Sequence, residues 1–219
     1  MIPEELMKEN EQVFCLARAD LTALMGAPLP RGAFAGPRPE ELLALPQYFL
    51  ARRLVEDDPT YKQLIPYQLF CSDRRYFVYR RGGGVGEGRL AGRLSVGIGG
   101  HINRHDADGD RLTPAAYQQA LLRERREELN AGATVAKSAF IGWINDEASP
   151  VGRVHLGAVH LGHLSEAQAR QLAIGAADED IHRVGWLTAA EIQAQKDNFE
   201  LWSLLAVELA EQQEAGATS

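Results

Sequence analysis

LLRERREELNAG, residues 121–132, is the stretch on which the fold of this chain turns. Wound as a helix at about 100° per residue, it gathers Glu124, Glu127 and Glu128 into one arc, because i,i+3 and i,i+4 positions are neighbours on a helix surface. Like charges at that spacing repel by roughly a few tenths of a kcal/mol per pair. Arginines or a divalent cation must offset the repulsion. Arg123 stands four residues before Glu127 and can orient it by an ion pair. Three hard oxygen donors suit Mg²⁺ or Mn²⁺ and not zinc. The alternative is a solvated helix face, with Arg123, Arg125 and Arg126 interleaved among the glutamates.

Working outward, TPAAYQQALLRERREEL (113–129) predicts a helix, with Thr113 as N-cap and Pro114 at the first helical position. Upstream, IPYQLFCS (65–72) and RYFVYRR (75–81) are rich in aromatic and β-favouring residues and predict consecutive strands. RLSVGIGG (93–100) predicts a third strand, ending on Gly99-Gly100. Further strands are expected at VFCLAR (13–18), TVAKSAFIGWIND (134–146), VGRVHLGAVHLGHL (151–164) and DIHRVGWLT. MGAPLPRGAFAGPRPE reads as loop, and residues 39–59 as a helix broken near Pro46. SEAQARQLA predicts a short helix, and residues 188–213 a terminal helical region with Phe199, Trp202, Leu205 and Leu209 as one core stripe. Strands in runs, mixed with helices, predict an α+β sandwich and not an alternating parallel sheet. The expected organisation is an N-terminal extension (1–63), a main domain (64–213) and a tail (214–219).

The chain has 219 residues, 45% hydrophobic and 24% charged, enough for one substantial core. Its net charge of −7 disfavours a nucleic acid polymer as partner. The charged start MIPEELMKENEQ predicts no secretory signal, and no run approaches the roughly eighteen apolar residues of a membrane span, so a cytoplasmic protein is expected. Cys15 and Cys71 sit in apolar runs and read as buried thiols. GGGVGEG (82–88) lacks the spacing of a phosphate loop and reads as a hairpin turn. DADGD (106–110) fails as a calcium loop, since Arg111 and Tyr117 stand where Gly and Glu are required. His155 and His160, five apart, point to opposite faces of a regular strand, which leaves His101 as the histidine of interest.

A strand ending in Gly99-Gly100, a loop, and a helix carrying Arg123-Glu124-x-x-Glu127-Glu128 resembles the Nudix box, G-x5-E-x7-R-E-U-x-E-E-x-G-U. YRR before the box and GWLTAAEI after it agree. PTYKQLIPY, SVGIGGHIN and GRVHLGAV resemble a branch of that superfamily identified as predicted phosphoesterases. The resemblance covers roughly residues 64 to 210 and implies an α+β fold of Nudix type, an α/β/α sandwich with a mixed central sheet, here with an N-terminal extension. It departs from the pattern at Ala115 for the first glutamate, Arg125 for the apolar U and Asn130 for the last Gly, and its loop from Gly100 is longer.

The resemblance implies Mg²⁺- or Mn²⁺-dependent hydrolysis of a nucleoside diphosphate-linked or related compound, with a metal-activated water attacking phosphorus. It makes Glu124, Glu127 and Glu128 the metal ligands and Arg123 their orienting partner. Gly99, Gly100, His101 and Arg80 would face a small phosphorylated substrate, with Arg81 and Arg93 as further phosphate contacts. Glu166, Glu179 and Asp180 are candidate general bases. A homodimer is compatible with it. Two other readings stand beside it: a Nudix-fold binding or regulatory module with little catalysis, and an oligomeric structural protein with a merely solvated helix.

Overall fold

A computed structural model of the chain describes residues 11–80, 92–129, 138–172 and 182–217. The glycine turn 82–88, Arg81, Asn130, Glu179 and Asp180 lie outside the described residues. The chain divides into two compact units, Met1–Pro66 with Gly99–Leu122 and Gly142–Ala158, and Tyr67–Ile98 with Arg123–Ile141 and Val159–Ser219. The class is α+β with a mixed sheet, as expected.

The first unit is organised around β1 (Gln12–Ala17), the VFCLA run. Val13, Phe14, Cys15 and Leu16 are all buried, as befits a strand covered on both faces. β1 pairs antiparallel with β3 (Gln47–Ala51), Gln12 opposite Ala51 and Cys15 opposite Tyr48. On its other side it pairs with the start of β4 (Tyr61–Ser72), Cys15 opposite Gln63 and Leu16 opposite Lys62. Phe14 N–H donates to the Ile102 carbonyl at 2.8 Å, which ties the segment after the glycine pair to the same strand. Val13, Cys15 and Val55 form a small core with Tyr48, Leu50 and Tyr61 packed against it. Three short helices join these strands: α1 (Arg18–Met25), α2 (Pro39–Leu42) and α3 (Arg52–Val55). β2 (Gly32–Phe34) pairs with residues 143–145 of β8 (Ala139–Asn145).

The helix expected over 39–59 is therefore two short helices with β3 between them. The first ends at Leu42, and beyond Pro46 QYFLA carries the β-favouring side chains that β1 needs as partners. Likewise GAF, inside the expected loop, is a strand because β8 offers it an edge.

In the second unit the end of β4 and β5 (Arg75–Arg80) form a hairpin, Cys71 opposite Tyr76 and Ser72 opposite Arg75. Asp73 and Arg74 turn it with φ of 48° and 56°, the left-handed pair that matches the strands' twist. β5 also pairs with β6 (Leu94–Ser95) and with β10 (His182–Thr188), while β7 (Gly97–Ile98) pairs with β4 at Gln68 and Leu69. The single expected strand 93–100 is thus two short ones. Gly97 has a specific reason to be glycine: a Cβ there would stand 1.8 Å from the Tyr67 ring. Phe70, Phe77, Tyr79, Ile98, Leu129, Leu164, Ala169 and Leu172 make the core, with Trp186 packed on Phe77 at 5.5 Å.

Ser165 caps α6 (Glu166–Gln171) and Thr188 caps α7 (Ala189–Ala194), both in capping boxes. The long α8 (Leu201–Ala217) follows, and Phe199 and Leu209 of the expected stripe are buried. The helix expected over 113–129 is α4 (Pro114–Glu128), whose Ala116 N–H donates to the Thr113 hydroxyl at 3.2 Å as the cap predicts. α5 (Pro150–Val154) and β9 (His155–His163) replace the single strand expected over 151–164. Both cysteines are buried thiols, and burial pushes Cys15 up to about 12. Among the described residues no helix is long and apolar enough to cross a membrane.

Candidate functional site

On α4 the buried positions Ala116, Tyr117, Ala120 and Leu121 recur at helical spacing, and Glu124 continues that stripe as a buried carboxylate. Arg123 Nη1 donates to Glu124 Oε1 at 2.8 Å and to Glu127 Oε2 at 2.9 Å. One guanidinium thus holds two carboxylates, and the exposure of their side chains runs from 10% at Glu124 to 56% at Glu127. Glu128 is half-buried in the same turn, with its Oε2 shielded from solvent. The structure therefore brings Arg123, Glu124 and Glu127 together, with Glu128 one residue on. Arg125, in the apolar position of the box, is half-buried; burial first and the charge of Arg126 second lower its pKa. Ala115 sits exposed in the first turn.

The remaining expected residues have the following partners and positions. Arg80 ends β5 and donates to the Gly92 carbonyl at 2.6 Å. Arg93 donates to the carbonyls of Asp197 and Phe199, at 2.9 and 3.2 Å, a post for the segment leading into α8. Glu166 opens α6 and pairs with Arg170 at 2.5 Å, both largely exposed. Gly99, Gly100 and His101 belong to the first unit, and residues 123–128 to the second.

The first unit holds a constellation that sequence reasoning missed. His101 Nε2 lies 3.2 Å from His155 Nε2, and with Glu56 the two offer ligand atoms all within 4.8 Å of one another. His155 Nδ1 lies 2.7 Å from the Val151 carbonyl. Since a carbonyl only accepts, Nδ1 carries the proton and Nε2 presents a lone pair. Burial, then Arg52, then the neighbouring ring hold His101 well below the usual histidine range. Burial likewise lowers His155, against the bond to Val151. Burial thus favours the neutral form of both rings. Strand parity spoke only to His155 against His160 and named no partner for His155; the local signal was Ser149-Pro150, an N-cap with proline at the first helical position. Ser149 accepts from Gly152 N–H at 2.9 Å, α5 forms, and His155 becomes the residue where the chain leaves the helix.

Beside it lies a buried ammonium. Lys62 Nζ donates to Asn145 Oδ1 at 2.7 Å and to the carbonyls of Gly152 and His155 at 2.8 and 3.2 Å. It also meets Glu147 at 2.9 Å, and Glu147 accepts from Arg18 at 2.8 Å. Burial lowers Lys62 to about 8, with Glu147 opposing. For Glu147 burial acts upward, but the bonds from Arg18 and Lys62 outweigh it and leave the carboxyl lowered.

No family model matches the chain. The protein YmaB of Bacillus subtilis (strain 168) is 32% identical over 164 residues, 71% of this chain and 74% of YmaB. The crystal structure of Tm1382, a protein of Nudix hydrolase type, superposes with a TM-score of 0.73 at 24% identity, covering 91% of this chain and 98% of Tm1382. The chain belongs to the YmaB family and shares its fold with Tm1382. Ala115 and Arg125, where the sequence departs from the Nudix pattern, both lie on α4, the first exposed in its first turn and the second half-buried near its end.

Proposed function

We propose that this Nudix-fold chain hydrolyses a diphosphate linked to a nucleoside or a related group, using Mg²⁺ or Mn²⁺. The observation that carries the reading is the turn in which Arg123 holds Glu124 and Glu127 by ion pairs, with Glu128 beside them. Its donor set fits the cation: carboxylate oxygens only, graded from buried to solvent-facing, on a rigid helix. Glu124, Glu127 and Glu128 would hold it. When bound, such a cation neutralises phosphate charge and lowers the pKa of a bound water. Arg123 fixes the two carboxylates in one arrangement before any ligand arrives, which is the preorganisation that charge stabilisation requires. Glu124, buried against the helix's apolar stripe, is the anchor, and exposed Glu127 is the arm able to exchange ligands.

The test is phosphate release from a panel of diphosphate compounds with Mg²⁺ and Mn²⁺. Wild-type turnover that is lost in Glu127→Gln and Glu128→Gln supports the reading, and turnover unchanged in both rejects it. Ala115 favours a second reading, a module that binds such compounds without turning them over, because no carboxylate stands at the first acidic position of the box. Saturable binding of a diphosphate compound with no release at any metal concentration would select it.

A further inference from the structure

We infer that Glu56, His101 and His155 form a binding site for a divalent transition-metal ion of the Zn²⁺ or Co²⁺ type, separate in residues and in ligand chemistry from the carboxylates of α4. The inference stands independently of the hydrolase reading, since none of the three belongs to the Nudix box.

The geometry is that of a ligand pair. Two imidazole nitrogens bound to one tetrahedral Zn²⁺ at about 2.0–2.1 Å stand about 3.3 Å apart. The Nε2 atoms of His101 and His155 are 3.2 Å apart, with ring centroids 5.3 Å apart and the rings inclined at 61°. The tautomer also fits. His155 Nδ1–H is taken up by the Val151 carbonyl, the outer-shell bond that fixes a metal-binding imidazole with its other nitrogen as donor. Burial keeps both rings neutral, the state a metal ligand requires.

Glu56 completes a two-histidine, one-carboxylate set, the donor combination of open transition-metal sites. It caps α3, and its side chain is 42% exposed, so rotation can bring an oxygen onto the ion. Arg52 Nε and Gln63 Nε2 donate to its two oxygens at 3.3 and 3.2 Å and orient it. The positive charge of Arg52 is shared between Glu56 and Glu11, the latter at 3.4 Å. Gln63 is fully buried, and its Oε1 has no partner among the described residues. It is an acceptor next to Glu56 that a ligand on the ion can use. β1 ties three of these segments together: Gln63 lies opposite Cys15, β3 pairs with β1 and leads into α3, and Ile102 is bonded to Phe14.

The test uses the metal-stripped full chain and two probes. Titration with Co²⁺ should show one site with the visible absorption of a nitrogen-and-oxygen ligand set, kept in the Glu124→Gln/Glu127→Gln/Glu128→Gln variant. It should weaken about 100-fold or more in His101→Gln and about tenfold in Glu56→Gln. Loss in the glutamate variant with retention in His101→Gln would overturn the assignment and place the ion on α4. Because His101→Gln risks folding, the wild type is also read directly. With ¹⁵N-labelled histidine, one equivalent of Zn²⁺ should move the Nε2 resonances of two of the six histidines together. If none moves, or if those that move survive in His101→Gln, the pair is a structural hydrogen bond between neutral rings and the site does not exist.

Discussion

Two charged constellations in this chain obey the same electrostatics to opposite ends. Around Lys62, a fully buried ammonium meets two carbonyls, an amide oxygen and Glu147, so its three N–H donors are saturated by protein. On α4, Arg123 likewise binds two carboxylates, but exposure rises steeply from Glu124 to Glu127. A saturated, buried cluster has no valence left for a ligand and serves the fold. A cluster open on one side can trade water for a cation at little cost. Burial, more than charge count, separates post from site.

The largest effect that would break this contrast is on stability. Lys62→Met should cost about 3–5 kcal/mol in urea unfolding, because Glu147 and three buried acceptors lose their donor. A loss below about 1 kcal/mol would mean that the cluster is solvated in solution. Next comes the mirror image on α4. Glu127→Gln should lower kcat by about 10²–10³-fold toward a diphosphate substrate, while the unfolding midpoint moves by no more than about 0.5 kcal/mol at this exposed position. Lost stability instead of lost turnover would make the helix turn another structural post.

A third measurement asks what a buried base does when burial alone sets its pKa. His160, 2% exposed and packed 5.7 Å from the Phe140 ring, is lowered to about 4 by desolvation. The unfolded chain takes up this proton below about pH 6.5 and the folded one only below about 4, so stability falls as pH drops through that window. The penalty is at most about 3 kcal/mol near pH 4. His160→Leu should flatten the acid limb of stability against pH between those values; an unchanged limb would show that His160 titrates normally.

How much of this was legible follows from which interactions are local. α4 was readable because its cap, its proline and its glutamates lie within fifteen residues of one another, and helix spacing alone brings the carboxylates together. The β4–β5 hairpin was readable because two aromatic runs flank Ser72-Asp73-Arg74. β3 was not: QYFLA follows a helical pattern, and only its pairing with β1, some thirty-five residues earlier, makes it a strand. The histidine pair failed for the same reason. Fifty-four residues separate His101 from His155, and the short helix that delivers His155 to the head of β9 is a five-residue element announced by Ser149-Pro150 alone.

The smallest effect is the most discriminating for α4 itself. Arg123 is a positioning residue, acting through Glu124 and Glu127, and its ion pairs are partly open to solvent. Removing such pairs costs at most about 1 kcal/mol of stability. If the turn were merely a solvated helix face, Arg123→Ala would do no more than that. If the carboxylates hold a cation, the same change lets them splay, and the Mg²⁺ concentration for half-maximal turnover should rise about tenfold, with partial recovery in Arg123→Lys. The two substitutions differ in geometry as well as charge, since lysine replaces a planar fork by a point charge. An unchanged Mg²⁺ requirement in Arg123→Ala would leave the paired carboxylates as surface chemistry and move the search for the catalytic cation elsewhere in the chain.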